Sequence, residues 1–202
     1  MILQLIGSGV SWKTAARQAF NGQGSCGNGG AMRVASIGAY FADDLQKVIA
    51  EAGASAEVTH AHPDGQTGAI AVALAAAYMV REGERARKPD LALVEFVLNQ
   101  IPQTDTYHRL KRALEIPLNA SPSTAASRLG NGMHVIASDT VPFCLWCAAR
   151  HPDNYVEALW STVTVCGDVD TNCAIVGGIV ALSAGRDSIP LDWLKAREAF
   201  NI

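Results

Sequence analysis

Charged side chains are scarce in this 202-residue chain. Asp, Glu, Lys and Arg make up only 17% of it, 16 basic residues against 19 acidic, for a net charge of −3. No stretch gathers the positive charge that a phosphate backbone or an anionic membrane demands, so nucleic acid and membrane are excluded as partners at this stage. Aromatic residues are sparse too, at 6%. That disfavours a β-sandwich and, with alanine abundant, points to helices packed through small side chains. Long apolar runs are missing. The longest, Ala69 to Val80 (AIAVALAAAYMV), is too short to cross a bilayer and reads as a buried helix. The opening MILQLIGSGV lacks the basic residues that precede a secretory signal. The five cysteines, Cys26, Cys144, Cys147, Cys166 and Cys173, are odd in number, and a reducing cytoplasm is their simplest setting. What is present is a globular composition, 49% hydrophobic, long enough for one domain with a sizeable core.

The periodicity is helical along most of the chain. Amphipathic or apolar helical patterns cover Trp12–Phe20, Asp43–Thr59, Asp64–Arg81, Asp90–Asn99 and Asp105–Glu115. They continue through Thr140–Arg150, Asp153–Val165 and Thr171–Ala184. Asp, Ser, Thr, Asn or Pro precedes each, as helix starts require. The segments near Lys88–Pro89 and Ile116–Ser123 turn polar or Pro-rich and read as loops. No repeat, low-complexity tract or long linker interrupts the pattern. The expected fold class is all-α.

Three segments carry the residue types of chemistry. The first, GQGSCGNGGAMR from Gly22 to Arg33, holds five glycines in nine residues. Such density costs backbone entropy and suits a chain that takes positive φ or comes close to a ligand. Its N–H groups can converge on an anion, with Arg33 adding charge; the plainer reading is a flexible surface loop. The second, EVTHAHPDGQTG, places His60 and His62 two apart beside Asp64. An extended segment would aim both rings to one side, as a metal site needs. Yet no third and fourth ligand has suitable spacing, and Pro63 makes this a helix end and a new start. The plainer reading gives one histidine a capping role and turns the other to water. The third, CGDVDTN from Cys166 to Asn172, sets Asp168, Asp170 and Thr171 at a loop-to-helix junction. Three oxygen donors there suit a hard cation such as Mg2+. Helix capping explains one acid but not two carboxylates close enough to repel. The Cys144-x-x-Cys147 pair lies in an apolar helical pattern and reads as core, as do Trp146 and Trp160.

In this order the segments resemble the ADP-ribosylglycohydrolase family. The strings that carry the resemblance are FNGQGSCGNGGAMRVA (Phe20–Ala35), Thr59–His60, SDTVP (Ser138–Pro142), and GDVDTN with AIVGG (Gly167–Gly178). The resemblance implies a compact all-α bundle with a binuclear Mg2+ centre, Mn2+ being possible, at the distal ribose of ADP-ribose. Carried over residue by residue, it makes Asp168, Asp170 and Thr171 half of the metal ligands. It puts the diphosphate and proximal ribose on Gly24, Ser25, Gly27 and Asn28, the adenine on Phe20, and His60 near the ligand. The implied partner is ADP-ribose or an ADP-ribosylated protein.

The departures shape the expectation. The family's domain begins well before the position of Met1, and its upstream part carries a catalytic acid and a Thr-Asp-Asp stretch. The one Asp-Asp pair here, Asp43–Asp44, follows the glycine loop and reads as a helix start. Residues 1–202 are therefore expected to be the C-terminal two-thirds of a single domain, truncated at its N-terminus, with no catalytic acid or base of their own. Cys26 replaces a common aromatic, Cys166 a second glycine and Val169 a frequent threonine, none of them an expected ligand. Activity is expected to be weak or absent in the isolated chain. The alternatives are a non-catalytic ADP-ribose-binding module and a crystallin-like structural protein.

Overall fold

Alanine decides how closely these helices approach. A computed structural model describes residues 2–198 as twelve α-helices joined by loops and short 3-10 turns, with no β-strand among the described residues. They are α1 (Ile2–Gly7), α2 (Trp12–Gly22), α3 (Ala35–Tyr40), α4 (Leu45–Glu57), α5 (Pro63–Glu82) and α6 (Ala92–Leu98). Then come α7 (Asp105–Lys111), α8 (Pro122–Leu129), α9 (Ala137–Arg150), α10 (Tyr155–Val163), α11 (Val169–Ala184) and α12 (Leu191–Ala196). The all-α expectation is met.

Three helices form the centre. α5, α9 and α11 pack on one another, and the remaining helices cover them, α3 and α4 against α5, α7 and α8 against α9, and α10 against α11. On α5 every residue from Thr67 to Ala77 is buried, so the helix has no solvent face. Its run of alanines keeps the cylinder thin. The backbone of α3 lies so close that a Cβ at Gly38 would overlap the Ala73 carbonyl oxygen. At the other end, a Cβ at Gly68 would stand 2.7 Å from the Ala137 Cβ, which brings the starts of α5 and α9 together. These starts carry the site. Low aromatic content thus has a structural counterpart, although Trp146 and Phe143 are fully buried in α9.

The capping residues read from sequence act as expected in several places. The Asp44 carboxylate accepts from Lys47 N at 3.1 Å; α10, read as starting at Asp153, is instead capped by Asn154, whose side chain accepts from Glu157 N. His62 caps α5, its Nδ1 accepting from Asp64 N at 3.1 Å, with Pro63 in the first turn. α9 begins at Ala137 and continues through Pro142, earlier than the pattern from Thr140 suggested. α8 starts inside the stretch read as a loop, and α1, α3 and α12 had no prediction. Trp160 is corrected: it is 53% exposed, because α10 turns Ala158, Ser161 and Thr162 inward. Cys144 and Cys147 are core, as read. Burial pushes the Cys147 thiol up to about 12 and raises Cys144 well above its ordinary value, which keeps both protonated. Among the described residues, no helix is long and apolar enough to cross a membrane.

Candidate functional site

A break in α2 opens the site. Helical geometry ends at Ala19, and Phe20 and Asn21 take left-handed φ values of 52° and 58°. Left-handed backbone is unfavourable for a bulky residue. Here it throws the Phe20 ring outward, 68% exposed, at the rim of a cleft. The chain then passes through Gly24 with φ 76°, where a Cβ would stand 2.7 Å from His62 N. Only glycine fits so tight a crossing over the start of α5.

The cleft has a volume of about 600 Å3. Phe20, Gly24, Ser25, Gly27, Asn28 and His60 all line it, so the six binding residues read from sequence come together. The loop is held from both sides. The Ser25 carbonyl accepts from His62 N, the Cys26 carbonyl accepts from Ala137 N at 2.9 Å, and Gly27 pairs with Ile136 as an isolated bridge. The Ser25 hydroxyl accepts from Gly27 N at 3.2 Å. The N–H groups of Ser25 and Cys26 make no hydrogen bond among the described residues, leaving donors for an anion.

His60 explains two of the glycines. Its ring fills the hollow under the loop, where a Cβ at Gly27 or Gly29 would come within 3.1 Å of ring atoms. Its Nδ1 lies 2.7 Å from the Thr59 hydroxyl. Thus His62 is the capping histidine, while His60 packs under the loop and does not turn to water. Burial, and then the Arg33 guanidinium, hold the His60 pKa below its ordinary value. Arg33 itself points to α4, donating to Ser55 O and to the Thr59 hydroxyl, and does not line the cleft. Asp64 is committed to α7, accepting from Thr106 N and its hydroxyl.

This arrangement fixes a pH response. Both states of His60 are neutral above about pH 6.5, its unfolded value. As the pH falls below that, the unfolded chain takes up a proton that the folded chain resists, so stability drops. His60→Gln should flatten the part of the acid-side loss that His60 carries, measured by denaturant melts between about pH 7 and pH 5. An unchanged slope would contradict it.

Asp168, Asp170 and Thr171 open α11 beside the cleft. Asp168 occupies the N-cap position but makes no capping hydrogen bond. Its Oδ2 instead accepts from the Asn28 amide at 2.6 Å, and that amide also donates to the Thr140 hydroxyl at 2.9 Å. Asn28 is 3% exposed, so this link between glycine loop and α11 is buried at its Asn28 end and half-buried at Asp168. Asp170 is exposed, and its carboxyl is held below the usual carboxylate range, first by a hydrogen bond with the Asp168 carboxyl and then by backbone N–H groups. Two neighbouring carboxylates repel unless a cation or a proton lies between them. Thr171 is buried. No three His, Cys, Asp or Glu side chains among the described residues gather as a metal cage. The donors present, two neighbouring carboxylates and a hydroxyl, fit a hard cation in their chemistry.

The reading of the sequence missed the third wall, His134, Val135 and Ile136. Val135 has φ 55°, rare for a β-branched residue, and is exposed at the cleft. Asn131 stitches this wall to α11: its carbonyl accepts from Asp168 N at 3.2 Å and from the Asn172 side chain at 2.7 Å. The Gly130-Asn131-Gly132 punctuation was the available signal.

The comparisons agree with this geometry. The family model for ADP-ribosylglycohydrolase matches residues 2–200. The chain is 33% identical over 212 residues to the chicken (Gallus gallus) ADP-ribosylhydrolase ARH3, and 31% identical over 215 residues to the human one. Each alignment covers 92% of this chain and 57% of the relative. An uncharacterised protein of Archaeoglobus fulgidus is 32% identical over 169 residues, covering 83% of this chain and 52% of that protein. The chain thus spans little more than half the length of these curated relatives. With the helical bundle, the glycine loop and the α11 acids in the order that its strings suggested, the chain belongs to the ADP-ribosylglycohydrolase family.

Proposed function

We propose that the cleft binds ADP-ribose, and that this chain supplies the ligand cradle and part of the metal-binding apparatus of an ADP-ribosylglycohydrolase. The reaction is hydrolysis of the bond between C1 of the distal ribose and a protein side chain. One observation carries the reading: a cleft of about 600 Å3 lined by Phe20, the glycine loop and His60 is joined through Asn28 to Asp168.

The roles follow from the chemistry at each place. Phe20 offers a ring face to the adenine at the open rim. The free N–H groups of Ser25 and Cys26 receive the diphosphate, a neutral cradle that needs no lysine. His60 shapes the loop from beneath. Asn28 fixes the Asp168 carboxylate, so that Asp168, Asp170 and Thr171 would hold Mg2+ or Mn2+ at the distal ribose. That ion, when bound, supplies positive charge that orients ribose hydroxyls and water and offsets charge developing in the transition state. Departure of the side-chain group leaves an oxocarbenium-like ribose. Asp168 and Asp170 act as ligands, and proton transfer is assigned to no residue of this chain. The isolated chain accordingly binds ADP-ribose and hydrolyses weakly or not at all. Robust Mg2+-dependent release of ADP-ribose from a modified protein would contradict that part.

Phe20→Ala tests the cradle. The ring is exposed, so the melting temperature should stay as in the parent chain. Losing base stacking, which is worth about 1–3 kcal/mol, should weaken ADP-ribose binding by roughly tenfold or more. Equal affinities of variant and parent in calorimetry would remove the adenine from this rim.

A further inference from the structure

A second cleft, of about 610 Å3, is lined by residues of α7, α8 and the start of α9, by Gly130 and Asn131, and by Thr164 and Val165 after α10. Gly130 and Asn131 line it, together with Asp139 in the first turn of α9, whereas His134 to Ile136 of the loop before α9 line the first cleft. One loop therefore borders both clefts. We propose that this second cleft is an anion site, distinct from the glycine loop, that takes a diphosphate-bearing ligand on Arg109, Arg112 and Arg128.

Charge is the first argument. Three arginines line the cleft against one acid, Asp139, in a chain whose net charge is −3. Arg109 is partly occupied: it pairs with Asp105 at 3.2 Å and reaches Asp139 at 3.7 Å. Asp139, buried, spends its other oxygen on His134 N. Arg112 and Arg128 have no ion pair or side-chain hydrogen bond among the described residues; Glu115 shares an adjoining hollow with them but forms no ion pair with either. Two exposed guanidinium groups without an ion pair therefore border one open groove. Like charges held together in this way raise the local potential and call for an anion.

The lining chooses among anions. No aromatic side chain borders the cleft, so a nucleobase finds no stacking partner, whereas Ser123, Ser127 and Thr164 add hydroxyls. Guanidinium forks match phosphate oxygens in pairs, and a diphosphate carries more charge and more oxygens for several forks than a single carboxylate does. The recognised part is the diphosphate itself, free or attached to a nucleoside.

The test uses the 202-residue chain carrying Ser25→Asp, whose added charge keeps anions off the glycine loop, with chelator present. Calorimetry with inorganic pyrophosphate should show binding. Adding R112A and R128A should weaken it by about tenfold or more, with matching thermal melts, since both arginines are exposed. ADP should bind within about threefold of pyrophosphate, as expected when the base adds no stacking. No heat at millimolar pyrophosphate, or affinity unchanged by R112A/R128A, would overturn the site. ADP binding far more tightly than pyrophosphate would overturn the diphosphate as the recognised group. These outcomes do not depend on what occupies the first cleft.

Discussion

Asp168→Ala is expected to lower the chain's affinity for Mn2+ or Mg2+ by about a hundredfold or more, since loss of even a supporting residue around a metal costs about 10- to 100-fold. Asp168 is the one acid of the α11 pair whose orientation is fixed from outside its own helix. Its carboxylate takes no backbone cap and is held by the buried Asn28 amide at 2.6 Å. A capping aspartate would behave differently: its removal would cost about 1 kcal/mol of stability and leave metal affinity alone. Calorimetry with Mn2+ and a thermal melt on the same variant separate the two cases. A lower melting temperature with unchanged Mn2+ binding would return Asp168 to the role of a cap.

Gly38→Val is expected to be the most destabilising single change among those considered. The Cβ position at Gly38 is filled by the Ala73 carbonyl of α5, and nothing flexible is there to yield. Overpacking a core costs about 1–3 kcal/mol where side chains can adjust, and backbone against backbone belongs at the upper end. For a chain of this size, about 3 kcal/mol corresponds to a fall of roughly 6–12 °C in melting temperature. Gly53→Ala is a matched control, because its Cβ would meet only the Ile70 side chain at 3.6 Å, an ordinary contact. Equal melting temperatures for the two variants would mean that α3 can move off α5 freely, against the packing described.

The long central helices were legible because they must hide whole faces. α4, α5, α9, α10 and α11 carry sustained apolar patterns that survive in the fold, although α9 and α11 start without a side-chain cap. Short helices at the edge leave no such trace. α8 buries only Ala125 and Leu129, and α1 and α12 bury no residue at all, so no stripe distinguishes them from loop. Trp160 misled for the complementary reason, since a large apolar side chain need not be inside.

The site was legible where one segment holds several of its parts. Glycine density marked the loop from Gly24 to Gly29, although two of those glycines make room for the His60 ring as much as for a ligand. The paired acids of α11 stood out by their spacing. His134, Val135 and Ile136 did not, because they join the cleft through partners far away in the chain, Ile136 facing Gly27 and Ala137 N bonding Cys26 O. Nothing local in that stretch announces a contact with residues so distant. The link from Asn28 to Asp168 was hidden in the same way, each residue being identifiable alone and their hydrogen bond being a property of the fold.

The central claim is that one cleft joins an ADP-ribose cradle to the acids of α11. Calorimetric titration of the 202-residue chain with ADP-ribose, with Mg2+ and then with chelator, tests it most directly. With R112A and R128A removing the second cleft's contribution, the account predicts one-to-one binding that weakens when the metal is withdrawn. No heat at millimolar ADP-ribose in the presence of Mg2+ would contradict it.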